Sequence, residues 1–186
     1  ACLLSAGWKT CVTNVNKGIS YLVEACHQLA TKYPEMVDNT AVAILGGHAE
    51  DLREEFDFEV CELGYVNDTQ QIVDVYNACD VFVLPSLSEN LPNTIMEAMA
   101  CGVPSIGFKV GGIPEMIDHC KNGYVAAERN ADDLAKGIHW VLNESDYTAL
   151  SEAAVGKVLR CYSQRSVAMQ YLEVYNEALA YKNFRL

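Results

Sequence analysis

Hydrophobic residues in this chain fall into six short runs, and the segments between the runs show helical spacing. The run Val81–Leu84 is apolar at every position, which is typical of a strand covered on both faces. In the first intervening segment, apolar side chains recur at the i, i+3, i+4 spacing of an amphipathic helix. The predicted strands are residues 2–7, 41–46, 60–66, 81–86, 104–108 and 124–126, and the first helical stripe is Ile19, Leu22, Val23, Cys26 and Leu29. This alternation predicts an α/β fold, a Rossmann-like doubly wound parallel sheet of about six strands.

The strand pattern ends near residue 131, and the remaining chain has helical spacing. Residues 130–133 open a helix that carries Leu134, Ile138 and Val141. A long final helix is predicted from about Ser166, with a stripe made of Val167, Tyr171, Tyr175 and Ala178. We therefore predict a Rossmann-like domain over residues 1–165 and a C-terminal helix over residues 166–186.

Composition narrows the class of protein. A chain of 186 residues that is 51% hydrophobic fits one packed domain. No apolar run approaches the roughly 20 residues of a membrane-spanning helix, and we see no signal peptide. The sequence begins almost directly in an apolar run, so we expect a cytoplasmic domain cut from a longer chain.

The net charge of −12 excludes general nucleic-acid binding, which depends on basic surface. Any phosphate site must therefore be local, built from backbone N–H groups and one or two bases. The eight cysteines show neither C-x-x-C pairs nor zinc-ligand spacing. We predict that they are reduced, buried thiols without a disulfide framework.

The segment with the clearest functional pattern is residues 85–102, which follows a buried strand and so lies at the ligand-binding edge of the sheet. Asn93 is predicted to cap a helix that runs to Gly102, and the first turn of that helix favours an anion. Glu97 is a candidate to hold ribose hydroxyls, and Glu89 is a candidate for hydroxyls of a bound sugar. The alternatives are that Glu97 only stabilises the helix N-terminus and that Glu89 is a solvated loop acid.

Two glycine-bearing turns are predicted at the same edge. Gly111 and Gly112 precede a helix with Pro114 in its first turn, and paired glycines allow a ligand to approach the backbone. Lys17, before the first helix, could reach a pyrophosphate as a point charge. An ordinary strand-to-helix turn and a surface lysine are the alternatives. His48 could approach the same ligand, or it is a solvent-facing loop residue.

Taken together, these motifs resemble glycosyltransferase family 4. The matching motifs are Lys17-Gly18, Glu89 and Glu97 with seven residues between them, Ala98-x-Ala100-x-Gly102-x-Pro104, residues 111–115, Gly46-Gly47, residues 64–66 and Asn122-Gly123. They follow the order and spacing of that family over essentially the whole chain. The resemblance implies the C-terminal, donor-binding half of a GT-B fold, of the type that builds bacterial surface polysaccharides.

The resemblance also implies roles for individual residues. Lys17 would contact the diphosphate of a nucleoside-diphosphate sugar, and Glu97 would hold its ribose. Glu89 would be the catalytic-site residue that faces the transferred sugar near its anomeric carbon.

Further donor contacts follow from the same resemblance. Backbone N–H groups around Leu91, Asn93 and Thr94 would receive the phosphates, and Val66 would border the base. The family retains anomeric configuration and needs no metal or other cofactor, because positive groups and the helix terminus stabilise the leaving diphosphate.

The missing partner in this resemblance is an N-terminal domain that binds a glycan or lipid-linked acceptor. Through that domain the protein could lie at the inner face of the membrane. The last helix would cross back to it, which would explain the aromatic residues Tyr171, Tyr175, Tyr181 and Phe184.

Two positions depart from the family pattern. Trp8 follows Gly7 where the family usually has an arginine, and Lys9 is the nearest base. Pro92 stands where a glycine is common, so one phosphate-facing N–H is missing.

Other functions remain as alternatives. A sugar-nucleotide-binding module without catalysis, or a GT-B-type epimerase, would need the same site. An NAD-dependent oxidoreductase is disfavoured, because the first strand-to-helix turn lacks G-x-G-x-x-G. The base, the sugar and the acceptor are not specified by the sequence.

Overall fold

A computed structural model describes residues 1–6, 15–46 and 50–183 of the chain. Trp8, Lys9, His48 and Phe184, like Gly7 and Gly47, lie outside the described residues, so what the sequence predicts for them stays a prediction.

The described residues form one six-stranded sheet in which all paired strands are parallel. Its order is β3-β2-β1-β4-β5-β6. The strands are β1 (Cys2–Ala6), β2 (Ala41–Leu45), β3 (Glu59–Gly64), β4 (Val81–Leu84), β5 (Ser105–Phe108) and β6 (Gly123–Ala126). The predicted α/β fold is confirmed, and the predicted strand ends differ from the observed ones by at most two residues.

The direction of winding reverses between β1 and β4. From β1 the chain adds β2 and β3 on one side of the sheet, and it then returns to place β4, β5 and β6 on the other side. In parallel sheets of this order, ligands bind in the crevice at the carboxyl ends of the two strands where the winding reverses. The loops after β1 and β4 are therefore the first place to look for a site.

Helices cover both faces of the sheet, as the apolar strands require. The helices are α1 (Ile19–Lys32), α2 (Thr69–Asn77), α3 (Asn93–Ala100), α4 (Ile113–Met116), α5 (Ala131–His139), α6 (Tyr147–Cys161) and α7 (Gln164–Asn183). Consecutive strand residues enter opposite cores. Leu3 and Val83 pack on the side of α1 and α5, whereas Leu4 and Phe82 pack on the side of α2 and α3. Burial of both faces fixes the strands more firmly than hydrogen bonding alone would.

The two C-terminal helices differ in how they pack. Helix α6, which the sequence pattern did not predict, lies against α3 and buries Leu150 and Ala154. The long final helix is confirmed and starts two residues earlier than predicted. Its Tyr171, Tyr175 and Leu179 side chains are all more than half exposed. No helix in the described part of the chain is long and apolar enough to cross a membrane.

Candidate functional site

An ion pair joins the loops that follow β1 and β4. Lys17 ends a 3-10 turn after β1, and its Nζ lies 3.0 Å from Oε1 of Glu89, in the loop after β4. The two side chains are only 30% and 16% exposed. The structure therefore brings together, where the winding reverses, two residues that the sequence linked only to separate parts of a ligand.

The turn that carries Lys17 is fixed against the end of β4. Gly18 has a φ of +66°, and a Cβ there would lie 1.9 Å from the carbonyl oxygen of Pro85. The backbone N–H of Leu87 donates to the carbonyl oxygen of Asn16 at 2.7 Å. Only glycine allows the backbone to come this close to Pro85. Gly18 therefore holds Lys17 near the loop that follows β4.

A second glycine turn supports the same loop from the side of β5. Gly111 has a φ of +50°, and a Cβ there would lie 1.6 Å from the carbonyl oxygen of Glu89. Next to it, the backbone N–H of Gly112 donates to the carbonyl oxygen of Asn90 at 2.7 Å. The loop that carries Glu89 is thus held between turns from both neighbouring strands.

Helix N-termini next to the Lys17–Glu89 pair lack side-chain caps. Helices α1, α3 and α4 begin after Gly18, Pro92 and Gly112, and none of these residues makes a side-chain capping bond. In contrast, side-chain oxygens cap α2, α5 and α6, where the capping residues are Asp68, Asn130 and Asp146. Backbone donors in the first turn of α3 are therefore free of a capping side chain and can bind an anion beside Lys17.

The predicted capping role of Asn93 is wrong. Pro92 is the N-cap, because its extended backbone suits that position, and Asn93 is the first residue of α3. The N–H groups of Asn93 and Thr94 are consequently among the first-turn donors that have no partner within the helix. Leu91, just before the helix, is half exposed.

A buried tyrosine on α2 holds the carboxylate of Glu97. The Tyr76 hydroxyl lies 3.2 Å from Oε2 of Glu97 and 3.3 Å from the carbonyl oxygen of Thr94. Burial, and then the negative charge of Glu97, raise the pKa of Tyr76, so its hydroxyl keeps its proton and donates. The sequence analysis assigned Tyr76 no role in the site. The available signal was that a buried tyrosine hydroxyl needs a hydrogen-bond partner.

Val66 lies at the far end of the same edge. It is half-buried and follows β3 by two residues. Three inter-strand spacings, about 14 Å, separate β3 from β4. Val66 is therefore at the edge where the sequence predicted it, but not beside the Lys17–Glu89 pair.

One polar side chain at the end of β4 is buried without a partner. The Ser86 hydroxyl makes no hydrogen bond to any described residue. Buried hydroxyls are rarely left unpaired in folded proteins, so Ser86 is a further candidate for contact with a ligand or water.

The structure also contains a groove away from this pair. Its volume is about 560 Å³, and it lies beside α4 and β6, lined by Lys109, Pro114, Ile117, Asp118, His119, Lys121 and Val125. It includes none of Lys17, Glu89 and Glu97. We place the candidate site at the ion pair, because charge, free helix donors and the winding reversal coincide there. Among the described residues, no cluster of three His, Cys, Asp or Glu side chains could hold a metal ion.

Comparison with known proteins shows which family the chain resembles. Residues 9–144 match the family model described as "Glycosyl transferases group 1". An amylovoran biosynthesis glycosyltransferase of Erwinia amylovora is 29% identical over 175 residues, covering 85% of this chain and 41% of that protein. The chain spans about two fifths of the length of the curated relatives that it matches along most of its own length.

Solved structures share the fold. The Anabaena protein HepE, in complex with UDP-glucose, superposes with a TM-score of 0.73 at 21% identity, covering 94% of this chain and 48% of that one. The C-terminal domain of a glycosyl transferase group 1 family protein from Francisella tularensis superposes with a TM-score of 0.69 at 21% identity. That match covers 88% of this chain and 86% of the other, so the two chains have nearly the same extent.

The clamp on the Glu89 loop gives a testable prediction. Alanine at Gly111 and at Gly64 would share the cost of a left-handed backbone, about 1–2 kcal/mol. Only at Gly111 would the new Cβ also collide with a backbone oxygen, because no atom lies within 4 Å of a Cβ at Gly64. Gly111→Ala should therefore lower the free energy of unfolding in urea clearly more than Gly64→Ala. Equal losses would show that the turn does not support the loop.

Proposed function

The chain belongs to the glycosyl transferases group 1 family, and we propose that it is the half of a retaining enzyme that binds a nucleoside-diphosphate-sugar donor. The observation that carries this proposal is the Lys17–Glu89 pair beside the uncapped N-terminus of α3. One cation and a row of backbone donors suit a diphosphate, and one carboxylate suits sugar hydroxyls.

The diphosphate would lie between Lys17 and the first turn of α3. The acidic chain offers little general attraction for phosphate, so binding depends on these local donors. Because Lys17 is paired with Glu89, the incoming phosphates would compete with Glu89 for the ammonium group. Glu89 would then become free to accept hydrogen bonds from sugar hydroxyls.

The nucleoside would lie between α2 and α3. Tyr76 joins these two helices through Glu97, and it leaves the other carboxylate oxygen of Glu97 free of any recorded bond to a described residue. A carboxylate held in this way can accept hydrogen bonds from both hydroxyls of a ribose. Continuing in the same direction, the base would reach the loop of Val66 after β3. Base, ribose, diphosphate and sugar would thus follow the edge from β3 to β4.

The reaction would place developing negative charge on the leaving diphosphate. Lys17 and the α3 donors would lie where that charge forms, and donors fixed in this way can stabilise a transition state without a metal. Glu89 would face the sugar near the anomeric carbon. We propose retention of anomeric configuration, as in glycosyltransferase family 4.

The acceptor half would be a separate N-terminal domain. The matched relatives are more than twice as long as this chain, which leaves room for such a domain. The exposed aromatic residues of α7 would contact it. We propose a glycan or lipid-linked acceptor in polysaccharide synthesis, reached at the inner face of the membrane.

If phosphate and Glu89 compete for Lys17, substitutions of Lys17 and of Glu89 should have different effects on nucleotide affinity. Titration with UDP, GDP and ADP first selects the nucleotide that binds. Lys17→Gln should then lower the affinity for that nucleotide by about tenfold or more, because a hydrogen bond to a charged group contributes about that much to binding. Glu89→Gln should bind the free nucleotide at least as tightly as the parent, because Lys17 is released.

Lys136→Gln is the matched control, since this exposed lysine is also paired with a carboxylate but lies on α5. It should not change nucleotide affinity. In the full-length protein, Glu89→Gln should abolish sugar transfer while nucleotide binding persists. Loss of nucleotide binding in Glu89→Gln would contradict the assigned roles. Binding without transfer in the unmutated full-length protein would support the module without catalysis. Inversion of one carbon in the sugar of the free sugar nucleotide would support an epimerase.

The role of Glu97 can be separated from its effect on folding. The parent should prefer the selected nucleoside diphosphate to its 2′,3′-dideoxy form, because only the former can donate to Glu97. Glu97→Ala should bind both forms with nearly equal affinity, because it removes the acceptor, and Tyr76→Phe should show a smaller loss of the preference. Calorimetric titration of the three proteins measures this difference. A preference that survives in Glu97→Ala would place the ribose elsewhere.

A further inference from the structure

Two cysteine sulfurs lie in contact at the edge of the sheet opposite the proposed donor site. Sγ of Cys2, at the start of β1, is 3.4 Å from Sγ of Cys79, two residues before β4. Cys2 is half-buried and Cys79 is buried. Residues far apart in the chain are thus placed within reach of one covalent bond.

Backbone contacts fix this position. The N–H of Cys2 donates to Oδ2 of Asp80 at 2.7 Å, and the N–H of Asp80 donates to the carbonyl oxygen of Cys2 at 2.9 Å. This reciprocal pair ties the start of β1 to the residue after Cys79. The sulfur contact is therefore part of a defined strand junction and does not depend on a flexible loop.

The contact between the two sulfurs also gives the two thiols different pKa values. The hydrogen bond from Cys79 lowers the pKa of Cys2 to about 7, against the opposing effects of burial and of Asp80. The same interaction, followed by burial, raises the pKa of Cys79. Cys2 is thus the more accessible and more readily ionised thiol, and Cys79 is next to it. A reactive cysteine beside a resolving cysteine is the usual arrangement of a thiol pair that responds to oxidants.

We propose that Cys2 and Cys79 form an oxidisable dithiol site whose reactant is a low-molecular-weight disulfide. The Cys2 thiolate attacks one sulfur of that disulfide and forms a mixed disulfide, while one small thiolate leaves. Cys79 loses its proton to solvent and attacks the Cys2 sulfur, which releases the second small thiol. The protein loses two hydrogens and forms one S–S bond, and the small disulfide is reduced to two thiols.

The other described cysteines lack this combination. Cys26 is buried and its pKa is raised by burial, whereas Cys120 is exposed but has no recorded sulfur contact to a described residue. Burial, and then the nearby charges of Glu59 and Cys2, raise the pKa of Cys61. Cys61 therefore lies near Cys2 and is the alternative resolving residue that an experiment must exclude.

The bond would join β1 to the segment before β4, the two strands where the winding reverses. Closing a loop between residues 77 positions apart restricts the unfolded chain, so the oxidised protein should unfold several degrees higher than the reduced protein. Lys17 and Glu89 lie at the other ends of these strands. Nucleotide affinity should therefore change little, and the inference stands whether or not the proposed function is correct.

The test is incubation of the reduced 186-residue chain with oxidised glutathione, followed by alkylation and peptide mapping by mass spectrometry. The parent should lose about two mass units and yield a linked Cys2–Cys79 peptide. Cys79→Ser should stop at a glutathione adduct on Cys2, because the resolving thiol is absent. Cys61→Ser and Cys120→Ser should behave as the parent does.

Under native conditions, three results would overturn the proposal. They are a linked peptide that joins Cys2 to Cys61, accumulation of the same adduct in the parent and in Cys79→Ser, and a parent that stays unmodified. The rise in unfolding temperature, reversed by dithiothreitol, confirms that the bond forms in the folded chain. A linked peptide found only under denaturing conditions would also contradict the proposal.

Discussion

The candidate site depends on how closely the backbone can approach itself where the winding of the sheet reverses. The turn after β1 contacts the end of β4 at Gly18, and the turn after β5 contacts the Glu89 loop at Gly111. A side chain at either glycine would overlap a carbonyl oxygen. These two contacts fix the Glu89 loop from both sides, and the 3.0 Å ion pair with Lys17 follows from that placement. The residues that we assign to the diphosphate and the sugar are arranged around this loop.

The electrostatics of the site are unusual for so acidic a chain. A partly buried lysine pairs with Glu89, in the loop that leads into α3, and no side chain caps that helix, while α2, α5 and α6 are capped by Asp68, Asn130 and Asp146. The first-turn backbone N–H groups of α3 are therefore not used by a capping side chain. The Glu89 carboxylate pairs with the lysine, and under the proposed function an incoming diphosphate would compete with Glu89 for it. Tyr76 positions Glu97, because its buried hydroxyl donates a hydrogen bond to one carboxylate oxygen.

The sheet could be predicted from the sequence because its strands appear as short, mostly apolar runs, and the clearest of them, β4, is buried at every position. Helix α6 was missed, since it buries only Leu150 and the small Ala154 and therefore lacks a clear apolar stripe. The individual site residues could be proposed from motif spacing, but their pairing could not. Lys17 meets Glu89 only because β1 and β4 are neighbours, and strand order is not encoded in local pattern. The cap at Asn93 was wrong because the preceding proline already satisfied the backbone geometry of that position.

A crystal structure of the chain with the nucleoside diphosphate that binds it would test the central claim most directly. The account predicts that the diphosphate lies between Lys17 and the first turn of α3, with the ribose on Glu97. The groove beside α4 is an alternative place for the nucleotide to bind. Its volume is about 560 Å³, and its lysines at positions 109 and 121 form no ion pair with any described residue. A nucleotide bound in that groove, with the Lys17–Glu89 pair intact, would contradict the account.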